Sequence, residues 1–136
     1  MTTPLAYLAP LGRLLIAYMF IPSGFSKLLN FNQTIGYIAS QNLPFPTLSA
    51  LAAIIIEIFV TFAFLVGFKT KWSALILALF TVATAVLFHN YWAVPQEMKM
   101  LTSLMFDKNI AIAGGLLLIF ASGPGKYSID EWIKNK

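Results

Sequence analysis

Four apolar windows dominate this chain, each about as long as the roughly 20 residues that an α-helix needs to cross some 30 Å of hydrocarbon. They run from Leu5 to Leu29, Leu48 to Phe68, Trp72 to Trp92 and Leu101 to Ser122. In 136 residues that leaves room for one domain and little else. With 59% hydrophobic and only 10% charged residues, a water-soluble core would leave wide apolar surface in solvent, so the surface suits lipid. The expected fold is all-α: a four-helix transmembrane bundle over residues 1–136, with a short interfacial helix between the first two spans and a C-terminal tail over 123–136.

Local signals sharpen this outline. Phe31, Ile35 and Ile38 recur at helical spacing between polar neighbours, which predicts the interfacial helix. Asn42 suits its left-handed end, and Pro44 and Pro46 stop it. Lys69, Thr70 and Lys71 are too few for anything but a tight antiparallel turn. Trp72 at one end of the third window and Tyr91 and Trp92 at the other mark the two headgroup levels. The fourth window is uninterrupted only from Ile110, after Asp107, Lys108 and Asn109, so a short or tilted helix, or one entered from a polar pocket, is expected there. Nothing basic precedes Arg13, so the first window is expected to stay as a helix rather than to be cleaved as a signal peptide.

Absent residue types exclude whole chemistries. The chain has no Cys and one His, which removes thiol chemistry and leaves no metal site to expect. No phosphate-binding loop, dinucleotide fingerprint or serine triad appears. The lysines flank apolar spans, so the net charge of +4 predicts no nucleic-acid partner. With four spans, Lys69, Lys71, Lys126, Lys134 and Lys136 share one side, while the opposite loops hold chiefly Lys99. Basic loops favour the cytoplasm, which predicts that both termini are there.

Charges inside the spans carry the functional expectation, because an ion at the bilayer centre costs about 2.5 to 3.5 kcal/mol and turns inward to find partners. Small-residue stripes point the same way. They are Ala6, Arg13, Ala17, Gly24 and Lys27 on the first helix, and Ala50, Ala53, Glu57 and Thr61 on the second. Ala74, Ala78, Thr81, Ala85 and His89 form the third, and Lys108, Ala111, Gly115 and Ser122 the fourth. Counting about 1.5 Å per residue puts Glu57 about 15 Å from either surface and Arg13 about 12 Å from one, so an Arg13–Glu57 ion pair is predicted. Lys27, His89, Asn90, Lys108 and Asn109 crowd the outer half, and Pro22 frees a backbone carbonyl nearby. The sum is a polar pocket open outward and floored by Glu57. Each group also admits a structural reading: an Arg13–Glu57 pair that only fixes register, a His89 or lysine that snorkels, a packing notch at Gly114 and Gly115, and Ser23 and Ser26 as hydrogen-bonding helix residues.

Taken in order, Gly12-Arg13-Leu14-Leu15, Ser23-Gly24-Phe25-Ser26-Lys27-Leu28, Glu57, Phe88-His89-Asn90-Tyr91-Trp92, Lys108-Asn109 before Gly114-Gly115, and Gly123-Pro124-Gly125 with Ser128 and Asp130 resemble the DoxX family of small bacterial membrane proteins. Asn42 departs from the Gly more usual in that family's turn, but both tolerate left-handed geometry. The resemblance implies a place in the bacterial inner membrane and an association with membrane oxidoreductase systems. The related DoxD type belongs to a thiosulfate:quinone oxidoreductase.

On that basis a quinone or similar lipid-soluble carrier is the expected ligand, and the chain is at most a subunit of an oxidoreductase. His89, Lys108, Asn109, Asn90 and Lys27 would bind, Glu57 and His89 would move protons, and Phe20, Phe64 and Phe88 would pack on the ring. A soluble or membrane redox partner, or a second copy of the chain, would join it in the bilayer. The alternatives from other classes are a small proton-coupled transporter and a scaffold that recruits redox enzymes.

Overall fold

The computed structural model describes residues 3–136 and is all-helical over them, as the windows predict. A short 3₁₀ turn, Pro4–Tyr7, leads into α1, Leu8–Leu29. The interfacial helix α2 covers Phe31–Ser40. Next come α3, Pro46–Val66, and α4, Thr70–Phe88. A second 3₁₀ turn, Tyr91–Ala93, precedes α5, Gln96–Ser122, and the short α6 spans Ile129–Lys134. The helices α1, α3, α4 and α5 are long and apolar enough to cross a membrane. Their outward faces carry large apolar side chains such as Phe59, Leu79 and Leu118, each well over half exposed, as lipid contact requires.

The fourth span is not the short helix that was one of the expectations for it. It is one unbroken helix of 27 residues that runs through Asp107, Lys108 and Asn109. Successive residues of a helix point about 100° apart, so Asp107 can stay exposed while Asn109 turns into the bundle. The buried face is Asn109, Ala113 and Leu116, not the stripe through Ala111 and Ser122, both of which are exposed. Gly114 and Gly115 are no packing notch within the chain, since nothing lies within 4 Å of where a Cβ would stand.

All four spans meet in a core of Phe20, Phe64, Ala74, Leu77, Ala78 and Leu116. The register of α1 on α3 is set by Gly24. A Cβ there would stand 2.7 Å from Ile58 Cγ1 and 2.9 Å from Glu57 Cβ, so only glycine lets the helices come this close. Arg13 lies eleven residues back from Gly24, about 16 Å along the axis toward the end of the bundle that holds both termini. That distance rules out the predicted Arg13–Glu57 pair.

Arg13 is instead buried at the terminal end, where its Nη2 donates to the carbonyl oxygen of Tyr127. Gly67 makes room for it. At φ +74, a side chain there would be strained, and its Cβ would fall on Arg13 Nη1 and on Ser128 Cβ. Asp130 completes the junction by capping α4 from outside that helix. Its carboxylate accepts from the backbone N–H of Lys69 at 2.7 Å, from that of Thr70 at 2.8 Å and from the Thr70 hydroxyl at 2.7 Å. The Asp130 N–H in turn donates to the Gly67 carbonyl at 2.8 Å, Ser128 caps α6, and Tyr7 stacks on Tyr127. The tail is thus a clamp that ties α1 to the α3–α4 turn.

Partial burial pushes the Asp130 carboxyl up. The bonds from Thr70 and Lys69, with the Lys69 charge, outweigh this and hold it below the ordinary carboxylate range. A group depressed in the folded state contributes stability above its unfolded pKa of about 3.9 and loses it as pH falls through the lower folded value. Asp130→Ala should therefore cost about 1 kcal/mol near neutral pH, as loss of a helix cap does. Melting of the detergent-solubilised protein should show a gap to the parent that closes on acidification below about pH 4; a gap independent of pH would refute the charged cap.

Candidate functional site

At the opposite end of the bundle, a cavity of about 470 Å³ lies among the four spans and beneath α2. Its deepest polar group is Glu57, near the middle of α3 and 6% exposed. Here the α3 backbone leaves α-helical geometry for one π-helical turn, Ile56–Val60. The Thr61 N–H and hydroxyl both donate to the Ile56 carbonyl five residues back, the hydroxyl at 3.2 Å. Such turns insert one residue into a helix and recur at functional sites.

Lys27 reaches Glu57 from α1. Its Nζ stands 2.9 Å from Oε2 and 3.1 Å from Oε1 and donates to Ser23 Oγ at 2.7 Å, while the Ser23 hydroxyl donates to Oε1 at 3.2 Å. The i, i+4 spacing of Ser23 and Lys27 puts them on one face, and Gly24 brings that face onto α3. Glu57 is thus paired, as expected of a charge at that depth, but with Lys27 in place of Arg13.

The other wall comes from α4 and α5. Asn109 is buried, and its Nδ2 donates to Thr84 Oγ1 at 3.1 Å and to the Thr81 carbonyl at 3.4 Å, which locks it across the α4–α5 seam. His89 ends α4, where its N–H donates to the Ala85 carbonyl. Lys108 lines the cavity with its Nζ 3.7 Å from Met105 Sδ. Above them α2 lies across the opening, with Ile38 buried and Tyr37 stacked on Phe88 at 5.6 Å between ring centroids.

Of the residues singled out from sequence, the cavity gathers Lys27, Glu57, His89, Lys108 and Asn109. Asn90 and Arg13 do not line it. Phe20 and Phe88 line it, whereas Phe64 is fully buried in the core beneath. Ser23, Thr84 and Tyr37 were not foreseen as parts of the site. Only Ser23 carried a usable signal, its spacing from Lys27. Chemically, the cavity offers a carboxylate–ammonium pair at its floor, cationic and imidazole groups nearer its mouth, and aromatic and aliphatic walls. That is the make-up of a small-molecule site, mostly apolar with a few converging polar groups, and its volume falls in the usual range of roughly 300 to 1,000 Å³.

Four spans around a mostly apolar cavity with a few polar groups, and the termini clamped at the far end, define a small multi-pass integral membrane protein with a pocket in the bundle. The DoxX profile matches residues 8–90, and the chain belongs to the DoxX family. It is 34% identical to the inner membrane protein YphA of Escherichia coli over 89% of this chain and 86% of that one. It is 38% identical to the inner membrane protein YqjF of the same organism, over 92% and 91%. The ER-derived vesicles protein ERV29 of Saccharomyces cerevisiae is 30% identical over 92% of this chain, which spans only 33% of that longer protein. No solved structure matches the chain.

The pairing can be tested by a thermodynamic cycle in detergent. Lys27→Met and Glu57→Gln should each lower stability, and the double variant should recover part of the loss, with a coupling of about 1 kcal/mol or more. Arg13→Met should add to Glu57→Gln without coupling, because the two side chains sit at opposite ends of α1's contact with α3. Coupling of Glu57 to Arg13 rather than Lys27 would contradict the register set by Gly24.

Proposed function

We propose that the cavity binds the head of a quinone or similar lipid-soluble carrier, and that the protein is the carrier-binding subunit of a redox-linked membrane system. The observation that carries this reading is the convergence of Lys27, Glu57, His89, Lys108 and Asn109 on one apolar-walled cavity inside the bundle. A quinone, when bound, takes up two electrons and two protons. The chain's own residues supply the protein side of that chemistry. Lys108 and His89 offer donors for ring oxygens, and Phe80 and Phe88 offer faces for a ring. The Glu57–Lys27–Ser23 cluster holds and passes protons at the floor. The electrons come from a soluble or membrane partner. The relatives named inner membrane proteins support a bacterial inner membrane, and the lysine-rich terminal end supports cytoplasmic termini, with the cavity opening toward the periplasm.

A second reading, a small proton-coupled transporter, draws on the π-helical turn at Glu57, since interrupted helices at mid-membrane mark substrate sites in carriers. Mass spectrometry of lipids and small molecules retained by the gently purified protein separates the two. Bound quinone is expected in the parent, with several-fold less in Glu57→Gln, His89→Ala and Lys108→Ala at unchanged fold, as loss of one polar contact of about 1 to 1.5 kcal/mol gives. No quinone under lipid-replete conditions, together with solute flux in liposomes, would favour the transporter.

Orientation has its own measurement. A single cysteine in place of the exposed Lys71 should stay unreactive to an impermeant thiol reagent in intact cells and react after lysis. Labelling from outside would invert the topology.

A further inference from the structure

The charges of the cavity do not balance. Its ionisable lining is Lys27, Glu57, His89 and Lys108. Glu57 is committed to Lys27 and Ser23, so that pair is neutral as a unit. Lys108 is left as a cation without a counter-charge. Among the described residues no carboxylate lies within 4.0 Å of its Nζ, whose polar contact is the weakly accepting Met105 Sδ at 3.7 Å. Its sequence neighbour Asp107 is exposed and forms no ion pair with it.

Snorkelling to the headgroups is the ordinary fate of such a lysine. Lys108 is two residues past Phe106, which packs edge-on against Tyr91 and Trp92 in the aromatic belt, so the headgroup level is close by. The side chain nonetheless lines the cavity. His89 stands within electrostatic range of it, and its imidazole is hydrogen-bonded to the Phe88 backbone. The Asn109 amide is already spent on Thr84 and Thr81, so the uncommitted charged donor on this wall is Lys108, with His89 beside it.

We propose that the cavity takes a ligand whose head carries a negative charge, an ionised acidic hydroxyl or carboxylate on an apolar body, held by Lys108 and His89 across from the Lys27–Glu57 pair. This rests on the reading of the cavity as the site of a lipid-soluble carrier, but not on the carrier's redox chemistry. An anionic head gains little from the neutral Lys27–Glu57 pair and is drawn to Lys108, so the charge sits on the α4–α5 wall and the body lies along Phe80 and Ile112.

Three probes test it on the full-length protein in nanodiscs of uncharged lipid: a 2-hydroxy-3-alkyl-1,4-naphthoquinone, ionised at neutral pH; its neutral 2-methoxy analogue with the same alkyl chain; and decanoate. Binding is read by tryptophan fluorescence or calorimetry. The ionised naphthoquinone should bind about tenfold tighter than the methoxy analogue, the size of one charge-assisted contact. Lys108→Met should abolish the preference, bringing the ionised naphthoquinone down to the weakened level of the methoxy analogue, with an unchanged melting curve reporting an intact fold, and Lys108→Arg should retain it. Equal binding of the two naphthoquinones would overturn the charged head and leave the carrier reading standing. If neither naphthoquinone binds but decanoate does so in a Lys108-dependent way, the quinone class falls and the anionic ligand stands. Binding of none of the three overturns both.

Discussion

A carboxylate near the middle of an apolar span persists only with a partner, and the contact between Lys27 and Glu57 is what the upper half of this bundle is arranged around. Several otherwise unrelated sequence choices serve it. Gly24 removes the one side chain that would hold α1 away from α3 at that level. Ser23, one helical turn before Lys27, accepts from the ammonium and donates to the carboxylate, so the pair is bridged as well as close. The π-helical turn begins one residue before Glu57 and re-aims the rest of α3. A buried ion pair of this kind adds little net stability over apolar packing, and the attested return on such a pair is specificity of register. Here it also places a titratable pair at the floor of a cavity, which apolar packing could not do.

The two ends of the bundle divide the work. The terminal end is closed by short-range bonds: Asp130 on the first turn of α4, Arg13 Nη2 on the Tyr127 carbonyl, Ser128 at the start of α6. At the loop end the cavity lies between the α1–α3 pair and the α4–α5 pair, and α2 with its Tyr37–Phe88 contact lies over it. A cavity in a four-helix bundle forgoes packing contacts along its length, which weakens the association of helices that lack a hydrophobic drive in lipid. The clamp at the far end supplies order where the cavity cannot. It also explains why the tail, six helical residues preceded by a Gly-Pro-Gly turn, is more than an appendage of the last span.

How much of this was legible in the sequence follows from the physics of each feature. Span positions, the interfacial helix and the inward turn of the polar residues were legible, because hydropathy and the cost of charge in lipid act residue by residue. The partner of Glu57 was not. Depth counted from each end of a window assumes that neighbouring helices are centred on one another, whereas α1 packs with Gly24 level with Glu57, which brings Lys27 rather than Arg13 to the carboxylate. The burial stripe of α5 was misjudged because alternative faces differ by one residue and the helix has small residues on both. The π-helical turn left no compositional trace, and the cap by Asp130 joins residues sixty positions apart. Asn90 was grouped with the others by its depth in the outer half, but α4 ends at Phe88 and Asn90 does not line the cavity.

The yeast relative aligns with nearly all of this chain but is about three times as long, so the segment that the two share is the bundle itself. Within that bundle the paired floor and the uncompensated wall make different demands. Lys27 and Glu57 pair with each other, and Ser23 bridges them. Lys108 has no such closure, since among the described residues its polar contact is Met105 Sδ. The α1–α3 wall is therefore complete in itself, while the α4–α5 wall leaves a cation open to the cavity. On the proposed reading of the cavity, substitutions at Gly24, Ser23 or Lys27 act through the fold, and those at His89 and Lys108 act through what the fold admits.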